Sequence, residues 1–147
     1  SPFVRAVAES LKSARRVRIY QSRFFENVIP PEHREFRDLV WTLAVNEDRE
    51  ASLATMRTAM LDDRSIAAGI FIGGMEGVEE EFALFRERHP DKPAITLPST
   101  GAAALRLFKE YESQNFAPDL QRRLLFDVAY EPLLESLLSS TFAIREG

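Results

Sequence analysis

Apolar and polar residues alternate along this chain with two periods, and the switches between them divide it into helices and strands. Ser1-Pro2 supplies a cap and a first-turn proline, and Phe3, Val7, Ala8 and Leu11 then share one helical face, which predicts a helix ending near Ala14. Val17 to Tyr20 is a short β-rich run, and Gln21-Ser22 reads as the loop at its carboxyl end, anchored by Phe24 and Phe25. Pro30-Pro31 breaks the chain, Glu32 to Arg37 reads as a short helix, and Leu39 to Val45 alternates as a strand. Asn46, Glu47 and Asp48 form a turn with Asp48 as cap, and Leu53, Met56 and Met60 mark the apolar face of a helix over 49–61.

Ala67 to Ile72 is a continuous apolar run of strand length, the pattern of a central strand buried on both faces of a parallel sheet. Gly73-Gly74 ends it. Val78, Phe82 and Phe85 predict a helix over 76–87 closed by His89-Pro90, and Ala94 to Leu97 is the next strand. After the Pro98 to Gly101 loop, Ala104, Leu105, Leu107, Phe108 and Tyr111 build a helix reaching Gln114. Leu120, Leu124 and Val128, then Leu134, Leu137 and Leu138, give two more helical stripes with the break placed at Pro132, and no strand is evident after Leu97. Strands alternating with helices at this spacing are βαβ units, and a three-layer α/β/α domain with a mainly parallel sheet follows.

Composition narrows the function. At 147 residues the chain has the length of one domain, read as an α/β core over 1–112 and C-terminal helices over 113–147. With 45% hydrophobic residues it has the material for a core, which excludes general disorder. A net charge of −4 argues against a duplex nucleic-acid surface, and the lack of cysteine excludes disulfides, thiolate metal sites and cysteine nucleophiles. The longest nearly apolar stretch, Ile66 to Met75, is too short to span a membrane, so a soluble, cytoplasmic protein is expected. His33 and His89 are the only histidines and carry no paired spacing, so neither a metal site nor a serine triad is expected.

In parallel α/β sheets ligands bind outside the carboxyl ends of the strands, which singles out three loops. Gly73-Gly74-Met75-Glu76-Gly77 lets backbone amides approach an anion at a helix start, although the same glycines also suit a tight strand-to-helix turn. Of Glu76, Glu79, Glu80 and Glu81, most compensate the helix dipole, and one facing the cleft suits ribose hydroxyls or activation of water. Ser99-Thr100-Gly101 fits a phosphate or ribose as well as it fits a helix cap. Gln21 and Ser22 form the third polar set, with Phe24 or Phe25 available to stack on a base, and Arg15, Arg16, Arg18 and Arg23 lie nearby in sequence.

Read together, Met56-Arg57-Thr58-Ala59-Met60, the strand ending in Ile72-Gly73-Gly74 and Gly77-Val78-Glu79-Glu80-Glu81 resemble the SLOG superfamily. That group includes the lonely-guy phosphoribohydrolases, Smf-type DNA-processing proteins and sensor domains of bacterial conflict systems. Arg57 holds the place of the lonely-guy arginine, Gly73-Gly74 that of the glycine pair, and Gly77 with the following glutamates that of Gly-Thr-x-x-Glu. Ile72 stands for the pattern's proline, Val78 for its threonine, and one extra residue precedes Gly77, which removes a hydroxyl and alters the loop. From Tyr20 to Ala103 the chain is more similar to the stand-alone or defence-associated branch.

The resemblance implies a Rossmann-like domain that binds a nucleotide or NAD-derived ligand such as an ADP-ribose derivative, with no separate cofactor. Members that resemble it carry a preceding segment with a first strand and its own glycine-containing loop, so the domain is expected to lack its first strand in this chain, either lost or removed or completed by other material. The opening Ser1-Pro2, without methionine, fits a processed or excised piece. The expected ligand contacts are Gly73, Gly74, Met75, Glu76, Gly77, Ser99, Thr100, Gly101, Gln21 and Ser22. An alternative is an N-glycoside hydrolase in which Arg57 holds phosphate and Glu81 assists water. A third is a non-catalytic assembly module with Leu133 to Phe142 as its partner face. The expected partners are a small-molecule nucleotide and a second copy in a homo-oligomer such as a dimer, with no duplex nucleic acid and no membrane.

Overall fold

Among the described residues, short β-branched and aromatic runs form four strands, and the segments with helical periodicity between them fold as helices, a mixed α/β arrangement with parallel strand pairs. The computed structural model describes residues 18–29, 38–112 and 116–143. The expected helix over 1–14 and the expected short helix over 32–37 lie outside the described residues. The chain divides into two units, Ser1–Arg64 and Ser65–Gly147.

In the first unit, β1 (Arg18–Ser22) pairs in parallel with β2 (Asp38–Thr42), from Arg18 opposite Asp38 to Ser22 opposite Thr42. The first pair is also ionic, Arg18 Nε to Asp38 Oδ2 at 2.9 Å, and that bond raises the arginine's pKa above its ordinary value. Gln21 and Ser22 are the last residues of β1 rather than the loop beyond it. β2 stops at Thr42, three residues before the expected end at Val45, and Leu43 is exposed. The chain turns there because Val45 N–H donates to Ser52 Oγ, drawing it back to the start of α1 (Arg49–Leu61).

Asp48 caps that helix as expected: its Oδ1 accepts from the N–H of Glu50 at 2.9 Å and of Ala51 at 3.1 Å. The buried positions of α1 are Ser52, Arg57 and Leu61, whereas the expected stripe of Leu53, Met56 and Met60 is only half-buried. Ser52 is accommodated because its hydroxyl is doubly bonded, accepting from Val45 and donating to Asp48 O.

In the second unit, β3 (Gly69–Ile72) pairs in parallel with β4 (Ala94–Leu97), and α2 (Glu76–Arg88) connects them. Period-two alternation sends Phe71 to α2, where its ring meets Phe82 at 5.1 Å and Phe85 at 5.8 Å, both edge-on. Ile95 and Leu97 pack instead with Phe108, Leu124, Leu133 and Leu137. β3 is not buried on both faces as its apolar run suggested, since Ile72 is 57% exposed and Ile70 37%.

After a 3-10 turn at Pro98–Thr100, α3 (Ala102–Leu107) gives way to a π-helical turn, Phe108–Glu112, where sequence predicted one continuous helix. α4 (Pro118–Phe126) and α5 (Tyr130–Ala143) follow, and their break falls at 127–129 rather than at Pro132. Pro132 sits in the first turn of α5, where its missing N–H has no helical acceptor to lose. Leu133 and Leu137 are fully buried in the unit's core, which corrects the reading of this part of the leucine-rich end as a partner face. Among the described residues no strand follows Leu97, and no helix is long and apolar enough to cross a membrane.

Candidate functional site

The carboxyl ends of β3 and β4 bring together two of the predicted loops, both in the second unit. Gly73 and Gly74 leave β3 with φ of +54° and +76°, left-handed values that favour glycine. At Gly74 a second constraint is steric, since an added Cβ would lie 2.1 Å from Val78 Cγ2. The valine that replaces the lonely-guy threonine therefore fills the space that the glycine leaves open.

Thr100 ties the loops together. Its Oγ1 accepts from Gly73 N–H at 2.7 Å and donates to Leu97 O, so this hydroxyl braces the two strand ends. The first amides of α3 are engaged in the same way: Ala103 N–H donates to Gly74 O at 3.1 Å and Ala104 N–H to Gly73 O at 3.0 Å. Gly101, with φ +75°, precedes Ala102 with φ +49°, a turn that aims these amides back at the glycine loop. The start of α3 is thereby neutralised by protein carbonyls, leaving α2 as the better anion-facing helix start of this unit.

α2 begins differently. Met75 is its N-cap residue, extended and 76% exposed, and supplies no side-chain bond to the first-turn amides. Glu76 is exposed, Gly77 half-buried, and Glu79 is paired with Arg106, Nε to Oε1 at 2.8 Å. Glu81 is half-buried one turn beyond Gly77 on the same face. Ser99 adds a buried hydroxyl: its Oγ has no hydrogen-bond partner among the described residues, although such groups in folded proteins nearly always have one.

Gln21, Ser22 and Arg57 belong to the first unit. Ser22 is fully buried, and its Oγ accepts from Phe24 N–H at 3.2 Å, capping the 3-10 turn Arg23–Phe25. Phe24 and Phe25 stack edge-on against each other, and Arg23 lies over the Trp41 ring at 5.4 Å. Arg57 is buried on α1, 8% exposed. The engagement of Thr100 and the complementarity of Gly74 and Val78 escaped the sequence reading. A glycine four residues ahead of a β-branched residue at a helix start was the available signal for the second.

A family profile described as "SLOG cluster3 family" matches residues 1–138. No curated protein and no solved structure matches the chain.

Proposed function

The chain belongs to the SLOG cluster3 family, and from that premise we propose that it binds a nucleotide or NAD-derived ligand of the ADP-ribose type, as a sensor or binding domain in bacterial defence. The ligand sits at the carboxyl end of β3, with its phosphate on the amides of Gly74, Met75, Glu76 and Gly77 at the α2 start. One observation carries this reading: of the two helix starts beside the strand ends, α3 is occupied by the carbonyls of Gly73 and Gly74, while α2 lacks a side-chain cap. The orphan Ser99 hydroxyl supports it, as a ribose or phosphate oxygen would satisfy that group. Ser99 thus contacts the ligand, Thr100 and Gly101 hold the loop in place, and Glu76 is the carboxylate for the ribose hydroxyls. The packing of Phe71 on α2, and of Ile95 and Leu97 on the C-terminal helices, supports a three-layer Rossmann-like arrangement.

Thermal unfolding with a panel of ADP-ribose, NAD, cyclic ADP-ribose isomers and nucleoside monophosphates tests the reading. A ligand at 100 times its Kd adds ~2.7 kcal/mol of stability. A shift with one panel member that Gly74→Val removes is the expected result, and no shift with any of them overturns the proposal. Release of a free base during the assay, abolished by Glu81→Gln, would replace it with the N-glycoside hydrolase reading.

A further inference from the structure

A groove of about 530 Å³ on the second unit is lined by residues that include Glu79, Phe82, Ala83, Arg86, Arg106 and Tyr111, none of them in the proposed ligand contacts. The π-helical turn Phe108–Glu112 presents Tyr111 here, 46% exposed, with its ring 5.6 Å from that of Phe82. Such turns insert one extra residue into a helical run and frequently mark functional surfaces. Arg86 lies over both rings, 5.2 Å from the Tyr111 centroid and 5.7 Å from that of Phe82. The rings orient its guanidinium without neutralising it, and among the described residues no ion pair engages it.

Glu79 is complementary to it. Both nitrogens of Arg106 that contact Glu79 converge on Oε1, Nε at 2.8 Å and Nη2 at 2.6 Å, so Oε2 remains an acceptor for a second guanidinium. Glu79 and Arg86 stand on one stripe of α2, two turns and roughly 10.5 Å apart, too far to pair with each other. Between them lies Ala83, exposed and small enough for a second helix to approach closely.

We infer that this groove is a two-fold interface for a second copy of the chain, with α2 of each copy antiparallel to the other and crossing near Ala83. With the two-fold axis passing between Phe82 and Ala83, Glu79 and Arg86 lie at equal distances to either side of it, so Arg86 of each copy reaches Oε2 of the other copy's Glu79. Each contact occurs twice, as an isologous interface requires. The result is two alternating rows, Arg106 to Glu79 to the second copy's Arg86. Covering the exposed Tyr111 removes water from the stacked Arg86 and strengthens its hold on the rings.

Sedimentation equilibrium of the whole chain, across the micromolar range at low and high salt, is the test. The wild type is expected at the dimer mass, weakening as salt rises. Arg86→Glu and Glu79→Arg should each weaken dimerisation at least about tenfold with an unchanged circular dichroism spectrum. An equimolar mixture of the two variants should recover the dimer, because both pairs then join opposite charges again. Should either variant lose its helical signal, Ala83→Arg at the crossing point takes its place, with dissociation expected. A monomeric wild type, a dimer indifferent to these substitutions, or a mixture that stays monomeric overturns the inference.

Discussion

Gly73 donates its backbone N–H to Thr100 Oγ1 at 2.7 Å, a bond between residues 27 apart in sequence that joins the ends of two strands. The same hydroxyl donates to Leu97 O, so one side chain satisfies groups of both loops. Replacing it by Thr100→Val keeps the shape and leaves the Gly73 N–H without its acceptor. An unpaired buried donor costs about 1–3 kcal/mol. Urea unfolding should register that loss for Thr100→Val, and Thr100→Ser should retain most of the stability.

Gly74 and Gly101 share a left-handed φ, +76° and +75°, and differ in their surroundings. A Cβ at Gly101 meets nothing within 4 Å, so Gly101→Ala carries only the conformational cost, about 1–3 kcal/mol. At Gly74 the clash with Val78 Cγ2 adds overpacking of about 1–3 kcal/mol. Gly74→Ala should therefore destabilise more than Gly101→Ala. Adding Val78→Ala to Gly74→Ala should recover part of the loss, a coupling that a double-mutant cycle in denaturant measures directly.

Asp48 accepts from two first-turn amides of α1, and its removal leaves both without a side-chain acceptor. Asp48→Ala should cost about 1 kcal/mol, and Asp48→Asn much less, since an amide oxygen also caps. Equal losses for the two variants would show that charge rather than capping matters here.

Tyr111 has its pKa raised, chiefly by its hydrogen bond to the Glu110 carboxylate and then by that group's charge. The neutral phenol is the bonded form, so the contribution is fully present below the ordinary tyrosine value of about 10 and is lost as pH climbs through the raised one. Ultraviolet titration of the wild type against Tyr111→Phe should place this phenol above the ordinary value. Glu110→Gln should bring it back down.

The sequence by itself determined what depends on neighbours along the chain. The helix over 49–61 with its Asp48 cap and the strand Ala94–Leu97 were legible because capping and apolar periodicity act over a few residues. The glycine pair and the glutamates beyond it were enough to place the chain in its superfamily, which the match over residues 1–138 bears out. Tertiary structure decided what depends on partners distant in sequence. Leu133 and Leu137 became core rather than surface because Ile95 and Leu97 pack against them, a contact no periodicity specifies. Ile72 emerged exposed despite an unbroken apolar run, since hydrophobicity sets a preference for burial but not the neighbour that provides it. Likewise, Thr100 carries the same hydroxyl whether it meets a ligand or a backbone amide. Only the pairing of β3 with β4 brings Gly73 within reach, and that proximity makes the threonine a brace.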